Sequence, residues 1–236
     1  MRIAKGSGRV RPGPFVRRLH AWRFRGRLSL RHEDKMMVWT GLLALAQATS
    51  TPVYFPPFYE RLETYCPNFQ RTFARFSDDR REWYSKHLRA AQEPSLFQQA
   101  RAGRGDTLRF LWLRTNHAPV IVRIENMQAA RGRLIATELT GQGGYAPGTI
   151  KRRLDRQLTA EETADLRRRL VANNPLGMAS GTDECTNGMD GSQWIVERAV
   201  GQRYKMVDRF YPEQGPIRST GMGMLRLTGW QFDRIY

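Results

Sequence analysis

The sequence predicts an α+β domain built on an antiparallel sheet of about five strands, with an N-terminal helical segment. Three observations carry that expectation. Aromatic and apolar residues recur at helical spacing before residue 102, strand-length apolar runs with short connections follow, and a well-marked helix start separates the third run from the fourth. Adjacent strands with short links pair antiparallel, because parallel neighbours need long crossovers. The implied order along 106–236 is β-β-β-α-β-β-α, with helices packed on the sheet.

Each element has its own justification. Residues 49–57, TSTPVYFPP, contain three prolines and predict an extended linker. The domain proper spans 58–236, and 58–105 reads as helical. Tyr59, Leu62, Cys66, Phe69, Phe73 and Phe76 fall on one helical side, interrupted at Pro67. Ser77-Asp78-Asp79 offers caps for a second helix carrying Trp83, His87, Leu88 and Ala91, and Pro94-Ser95 opens a third that Gly103 and Gly105 end. An aromatic stripe of this kind reads as core packing.

Strands follow at LRFLWLRT (108–115), PVIVRIEN (119–126) and RLIATELTG (133–141). The glycine-rich stretch GQGGYAPGT (141–149) reads as a turn, because it has neither the spacing nor the Lys-Ser/Thr ending of a phosphate loop. Thr159 with Glu162 forms a capping box that starts a helix running to about Ala172, with Arg167, Arg168 and Arg169 expected near its C-terminal dipole. The strands SQWIVERA (192–199) and QRYKMVDRF (202–210) flank a turn at Val200-Gly201, and a last helix over about 217–228 anchors through Met224 and Leu225.

Charge is unevenly placed. The net charge is +17, and residues 1–48 hold 11 of the 39 Lys and Arg against only Glu33 and Asp34. Behind this basic flank lies an uncharged apolar run, 36–46, too short to span a bilayer, which takes about 20 residues, but of signal-peptide length. Ala46-Gln47-Ala48 supplies the small-x-small pattern of signal peptidase, so 1–48 reads as a basic leader cleaved before Thr49. An uncleaved anchor and a buried helix are the alternatives, and translation from Met36 or Met37 would account for the acidic pair and the length of the leader. No stable membrane span is expected of the rest.

The two cysteines, Cys66 and Cys185, both follow the cleavage site, and an oxidising compartment favours pairing them. Two unrelated buried thiols are the alternative. A metal site is not expected, because only His87 and His117 accompany the cysteines beyond residue 48. Asp183, Glu184, Asn187 and Asp190 cluster without calcium-loop spacing and read as an ordinary acidic loop. Neither G-x-S-x-G nor H-E-x-x-H occurs, and Ser180 in GMASG has the wrong spacing. Two carboxylates, for example Asp190 with Glu197, can divide acid and base roles, but nothing marks these apart from the chain's other carboxylates. No catalytic residue and no cofactor is assigned.

The runs LTGQGGYAPG (139–148), DGSQWIVE (190–197) and GQRYKMVDRFYP (201–212) resemble a group of uncharacterised exported bacterial proteins. The shared pattern is approximately L-x-G-x-G-G-Y-x-P-G, D-G-x-x-W-x-x-E and G-x-Y-x-x-x-x-R-x-x-P, over about 108–230. The resemblance implies fold and export and carries no catalytic residue. Physically, Asp190-Gly191 suits a tight turn, Trp194 is a core anchor, Tyr204 shares a strand face with Met206, and Glu197 with Arg209 is expected to pair across neighbouring strands.

Together these readings predict an exported, periplasmic or secreted, non-catalytic domain that binds a protein or an envelope component. Its basic surface favours acidic partners. Two other classes stay open. The stretch 9–27 interleaves arginine with aromatics, which suits nucleic acid in a cytoplasmic protein that keeps its leader. An enzyme would be marked by carboxylates or His117 converging in a pocket. Oligomeric state is not read from the sequence.

Overall fold

The strands and helices that the periodicity predicts after residue 76 form close to where it places them, and one strand is added to them. The computed structural model describes residues 51–57, 62–74, 76–181, 185 and 190–236; the leader, its apolar run and the Ala46, Ala48 and Thr49 cleavage site lie outside these, as do Tyr59, Asp183, Glu184 and Asn187. In chain order the elements are β1 (Glu63–Cys66), β2 (Arg71–Ala74), α1 (Asp78–Ala90), α2 (Leu96–Arg101), β3 (Gly105–Arg114), β4 (Val120–Glu125), β5 (Arg133–Leu139), β6 (Ile150–Gln157), α3 (Ala160–Asn173), β7 (Ser192–Gly201), β8 (Arg203–Phe210) and α4 (Pro216–Leu227). The α+β class holds, with four helices, a six-stranded sheet ordered β6-β5-β4-β3-β7-β8 and a separate two-stranded one. All its neighbouring strands are antiparallel.

Two expectations are corrected. The stretch 62–74 is a hairpin, not a helix: β1 pairs with β2 around a 3-10 turn at Pro67–Phe69. Pro67 cannot sit inside a helix, and Thr64, Tyr65, Thr72 and Phe73 are strand formers. The residues that suggested a buried stripe are partly outside, with Leu62 37% and Phe69 46% exposed. Cys66, by contrast, is buried and bonded to Cys185, with Cα atoms 5.1 Å apart. The sheet also gains a strand, β6, from IKRRLDRQ, whose alternation is between half-covered and exposed positions.

Strand β3 lies at the centre and is buried from Thr107 to Arg114. Its alternate residues serve two cores. Leu108, Phe110 and Trp112 join Trp194, Val196, Leu166, Met224 and Leu225 on the face that α3 and α4 cover. Leu111 and Leu113 join Tyr84, Leu88 and Phe76 of the α1 segment on the other. The prolines keep 51–57 extended, yet this stretch is packed: Phe55 is fully buried against Phe76 and Tyr84.

The second face carries a buried ionic network. Arg109 is flanked in register by Arg123 on β4 and Glu197 on β7. Its Nε and Nη2 donate to the two Glu197 oxygens at 2.7 and 2.8 Å, and Nη1 donates to the Pro94 carbonyl at 2.7 Å. Arg123 donates to Glu93 at 2.8 Å, and the Tyr204 hydroxyl donates to Glu197 at 2.8 Å. Burial works against the Arg109 charge, but Glu197 and Glu93 more than offset it and hold its pKa above the ordinary value. The expected Glu197–Arg209 pair does not form. Glu197 faces Met206, three residues before Arg209, and an odd offset puts the two side chains on opposite sheet faces. Arg209 donates instead to the carbonyls of Asp208 and Gly181.

Helix α3 starts on the expected capping box, with Glu162 N–H donating to Thr159 Oγ1 at 3.1 Å and Thr159 N–H to Glu162 at 2.8 Å. It runs on to Asn173, so the arginine triplet lies short of its last turn. Arg167 bonds the Met127 carbonyl at 2.6 Å, and Arg168 and Arg169 pair with Asp165. Among the described residues no helix is long and apolar enough to cross a membrane.

Replacing both cysteines with serine opens a link of sequence separation 119 and is expected to lower unfolding free energy by roughly 4–5 kcal/mol on the chain-entropy model, read by urea unfolding. Arg109→Met strands the buried Glu197 carboxylate, while Glu93 keeps Arg123, and is expected to cost about 3–5 kcal/mol in the same assay, with Glu197→Gln added to it restoring part of the loss.

Candidate functional site

The three motif segments meet at one end of the sheet, around the turn that joins β3 to β4. Thr115 donates through both its N–H and its hydroxyl to the Gly191 carbonyl, at 2.9 and 3.0 Å. Asn116 donates to Asp190 at 3.2 Å. The glycine-rich loop closes from the other side, with Gly143 N–H on the His117 carbonyl at 2.9 Å and Gly144 N–H on that of Thr115 at 3.0 Å. A Cβ at Gly143 would stand 2.5 Å from the Arg114 nitrogen, so only glycine lets the two backbones come this close. Trp83 and His87 of α1 secure the loop, Trp83 Nε1 donating to the Gly143 carbonyl at 2.7 Å and His87 Nε2 lying 3.4 Å from that of Gln142. The loop is therefore a brace for the turn and not a cradle for phosphate.

The C-terminal segment completes the arrangement. The main-chain oxygen of Tyr236 accepts from the indole N–H groups of Trp112 and Trp194, each at 2.9 Å, and from the Ser192 hydroxyl. Arg114, buried, stacks over Trp112 at 4.2 Å and donates to the Ala118 carbonyl at 2.8 Å. His117 Nδ1 is hydrogen-bonded to the Tyr236 hydroxyl. Between turn and tail lies a cleft of about 610 Å³ lined by Asn116, His117, Asp190, Tyr211, Arg234 and Tyr236, within the roughly 300–1,000 Å³ of small-ligand sites.

Electrostatics keep the ring groups of the cleft neutral. Partial burial, then the Arg114 and Arg234 charges, hold the His117 imidazole below its ordinary value of 6.5. Burial pushes the Tyr236 phenol up. The formal charges are Asp190 and Arg234, one of each sign. A second concavity, about 570 Å³, lies at the β7–β8 hairpin; it is lined by Phe97, Leu176, Val200, Tyr204 and basic side chains, with no carboxylate or imidazole.

The sequence-selected residues divide between these places. Asp190 and Gly191 belong to the cleft. Gly191 is there for close approach, because a Cβ would meet the Phe210 ring at 2.5 Å. Trp194 is fully buried, as expected of a core anchor, and its indole also holds the tail. Glu197 and Tyr204 belong to the ionic network, and Glu197 lies seven residues along extended chain from Asp190, so Asp190 and Glu197 cannot act as a hydrolytic pair. Asn116, Tyr211, Arg234 and Tyr236 were not selected from the sequence; Asn116 and Tyr211 sit immediately beyond strand ends, which is the signal that could have found them. Among the described residues no group of three or more His, Cys, Asp or Glu is placed to hold a metal ion.

No protein-family model matches the chain, and no curated protein shows significant similarity to it.

The two imidazoles give the protein a pH dependence of stability. Burial lowers the pKa of His87, which is fully enclosed, and partial burial that of His117. The unfolded chain therefore takes up protons more readily than the folded one, and stability present above 6.5 is lost as pH falls through that value. Urea midpoints measured from about pH 7 to pH 5 are expected to fall, and His87→Gln to flatten the slope.

Proposed function

We propose that this chain works as an exported, non-catalytic domain that captures an envelope component in the cleft between the β3–β4 turn and the C-terminal segment. The observation that carries the reading is convergence. Segments far apart in sequence converge on one short turn, 139–148 and 190–197 through close backbone contacts and the tail through the Tyr236 hydroxyl on His117. Strands need no such turn brace to pair, whereas a binding site needs its side chains held still. The export half of the proposal is supported by the basic leader with its small-x-small ending and by the Cys66–Cys185 bridge, a link suited to an oxidising compartment. Membership in the group of exported bacterial proteins that its motifs resemble is part of the same proposal.

One observation favours a second reading. His117 is neutral, oriented by Tyr236 and lines the same cleft as Asp190, as an acid–base catalyst would.

Two measurements test the proposal. A phosphatase reporter that folds only outside the cytoplasm, fused after Thr49, is expected to be active; an inactive, cytosolic fusion ends the case for export. The full-length product, incubated with purified envelope fragments and centrifuged, is expected to pellet with them, whereas Tyr211→Ala and Arg234→Ala remain in the supernatant. Equal pelleting of all three removes the cleft from the reading. Release of a soluble product by the native protein but not by His117→Gln would carry the enzyme instead.

A further inference from the structure

Resting on the cleft as the binding site, we infer that its ligand is a saccharide: one or two pyranose units of an uncharged glycan, seated against Tyr211 and Tyr236 with ring hydroxyls on Asn116 and Asp190. Four features of the cleft point to that chemistry.

The first is Tyr211. Its backbone is left-handed, φ 42°, a conformation that β-carbon-bearing residues adopt only at a cost of roughly 1–3 kcal/mol. It is locked there by its N–H, which donates to the Ser192 carbonyl at 2.7 Å. The result is a large ring held 42% exposed at the cleft wall. A residue that merely closed a turn would be asparagine or glycine, both of which adopt this conformation more readily.

The second is the pairing of that ring with Tyr236, centroids 6.3 Å apart and planes inclined by 44°. Two inclined aromatic faces make a corner that accepts a flat, weakly apolar body. A pyranose presents that body, since the axial C–H bonds of one face are apolar and the hydroxyls lie around the rim. The third is the Asn116–Asp190 pair, exposed and 3.2 Å apart. Its planar amide and carboxylate offer adjacent acceptors and donors, the match for two vicinal hydroxyls that each donate and accept. His117, uncharged, adds a ring nitrogen of the same kind.

The fourth feature is charge. Asp190 repels phosphate and sulfate at the point where hydroxyls would bind, and a purely apolar ligand would bury that carboxylate unpaired. Arg234 balances Asp190, so the cleft asks for a ligand of little net charge although the chain carries +17. Acidic polymers are thus drawn to the rest of the surface and not to this site.

The experiment is calorimetric titration of the full-length protein with defined oligosaccharides: β-1,4-linked N-acetylglucosamine trimer, cellotriose and maltotriose. At least one is expected to bind, with affinity falling about tenfold or more in Tyr211→Ala and Asp190→Ala and retained in Tyr211→Phe, which keeps the ring. Thermal unfolding of each variant, matched to the native protein, excludes simple misfolding as the cause of a loss. Absence of binding by all three sugars, or binding that Tyr211→Ala and Asp190→Ala leave unchanged, overturns the inference. Cleft-dependent pelleting with envelope fragments, together with no binding to any sugar, overturns the saccharide alone and leaves the cleft's role standing; cleft-dependent sugar binding without such pelleting overturns envelope capture and leaves the saccharide site standing.

Discussion

Two guanidinium groups share one rung of the central sheet, Arg109 on β3 and Arg123 directly opposite on β4. Neither can stay charged in that interior without carboxylates, and the chain supplies two from distant places. Glu197 comes from β7, the strand on the other side of β3, and Glu93 from the short link between α1 and α2. Satisfying the pair therefore dictates which strand neighbours β3 and where the α1–α2 corner lies. The hydroxyl of Tyr54 extends the constraint to the N-terminal stretch by donating to the Glu93 carbonyl at 2.9 Å. Buried ion pairs add little net stability over apolar substitutes, but a mispaired one is costly. The network acts as a register lock: a slip of one residue would turn Glu197 away from Arg109.

With the sheet so pinned, one end of it becomes a fixed platform. The β3–β4 turn is gripped by the glycine-rich loop on one side, by Gly191 on another and by the tail on a third. The first two grips are made by backbone groups at close range, with glycine where a side chain would block the approach, and the third by the Tyr236 hydroxyl on His117. The loop is tied in turn to α1 through Trp83 and His87, so the helical layer on the second face supports a cleft whose walls belong to the first. The charged side chains of that cleft are Asp190 and Arg234, one of each sign.

Strands β3, β4, β5, β7 and β8 were legible because each carries an apolar run long enough to cross a core, and α3 because its capping box is a local motif. Strand β6 was not. Its inward positions are Arg152, Leu154 and Arg156, and the arginines are covered only because Arg152 meets Glu138 and the Trp230 ring while Arg156 meets Glu162. Those partners lie on other elements, across the sheet, on α3 and in the tail, and no alternation within β6 shows them. The hairpin of β1 and β2 was misread for the opposite reason: aromatics at helical spacing suggest a buried face, yet this segment is held by a disulfide and by strand pairing and leaves Tyr65 and Phe69 in solvent.

The site divides along the same line. Sequence alone determined the α+β class, the starts of α1, α2 and α3 and the notice taken of Asp190 and Gly191, since each rests on local spacing or on composition, and it favoured joining the only two thiols. Tertiary structure alone decided that Asp190 faces Asn116 and not Glu197, that Glu197 belongs to Arg109 and not Arg209, and that Tyr211, Arg234 and Tyr236 border one cleft. Register is a relation between strands, and its period of two sends neighbours to opposite faces. No reading of one strand can show which residue of another it will meet.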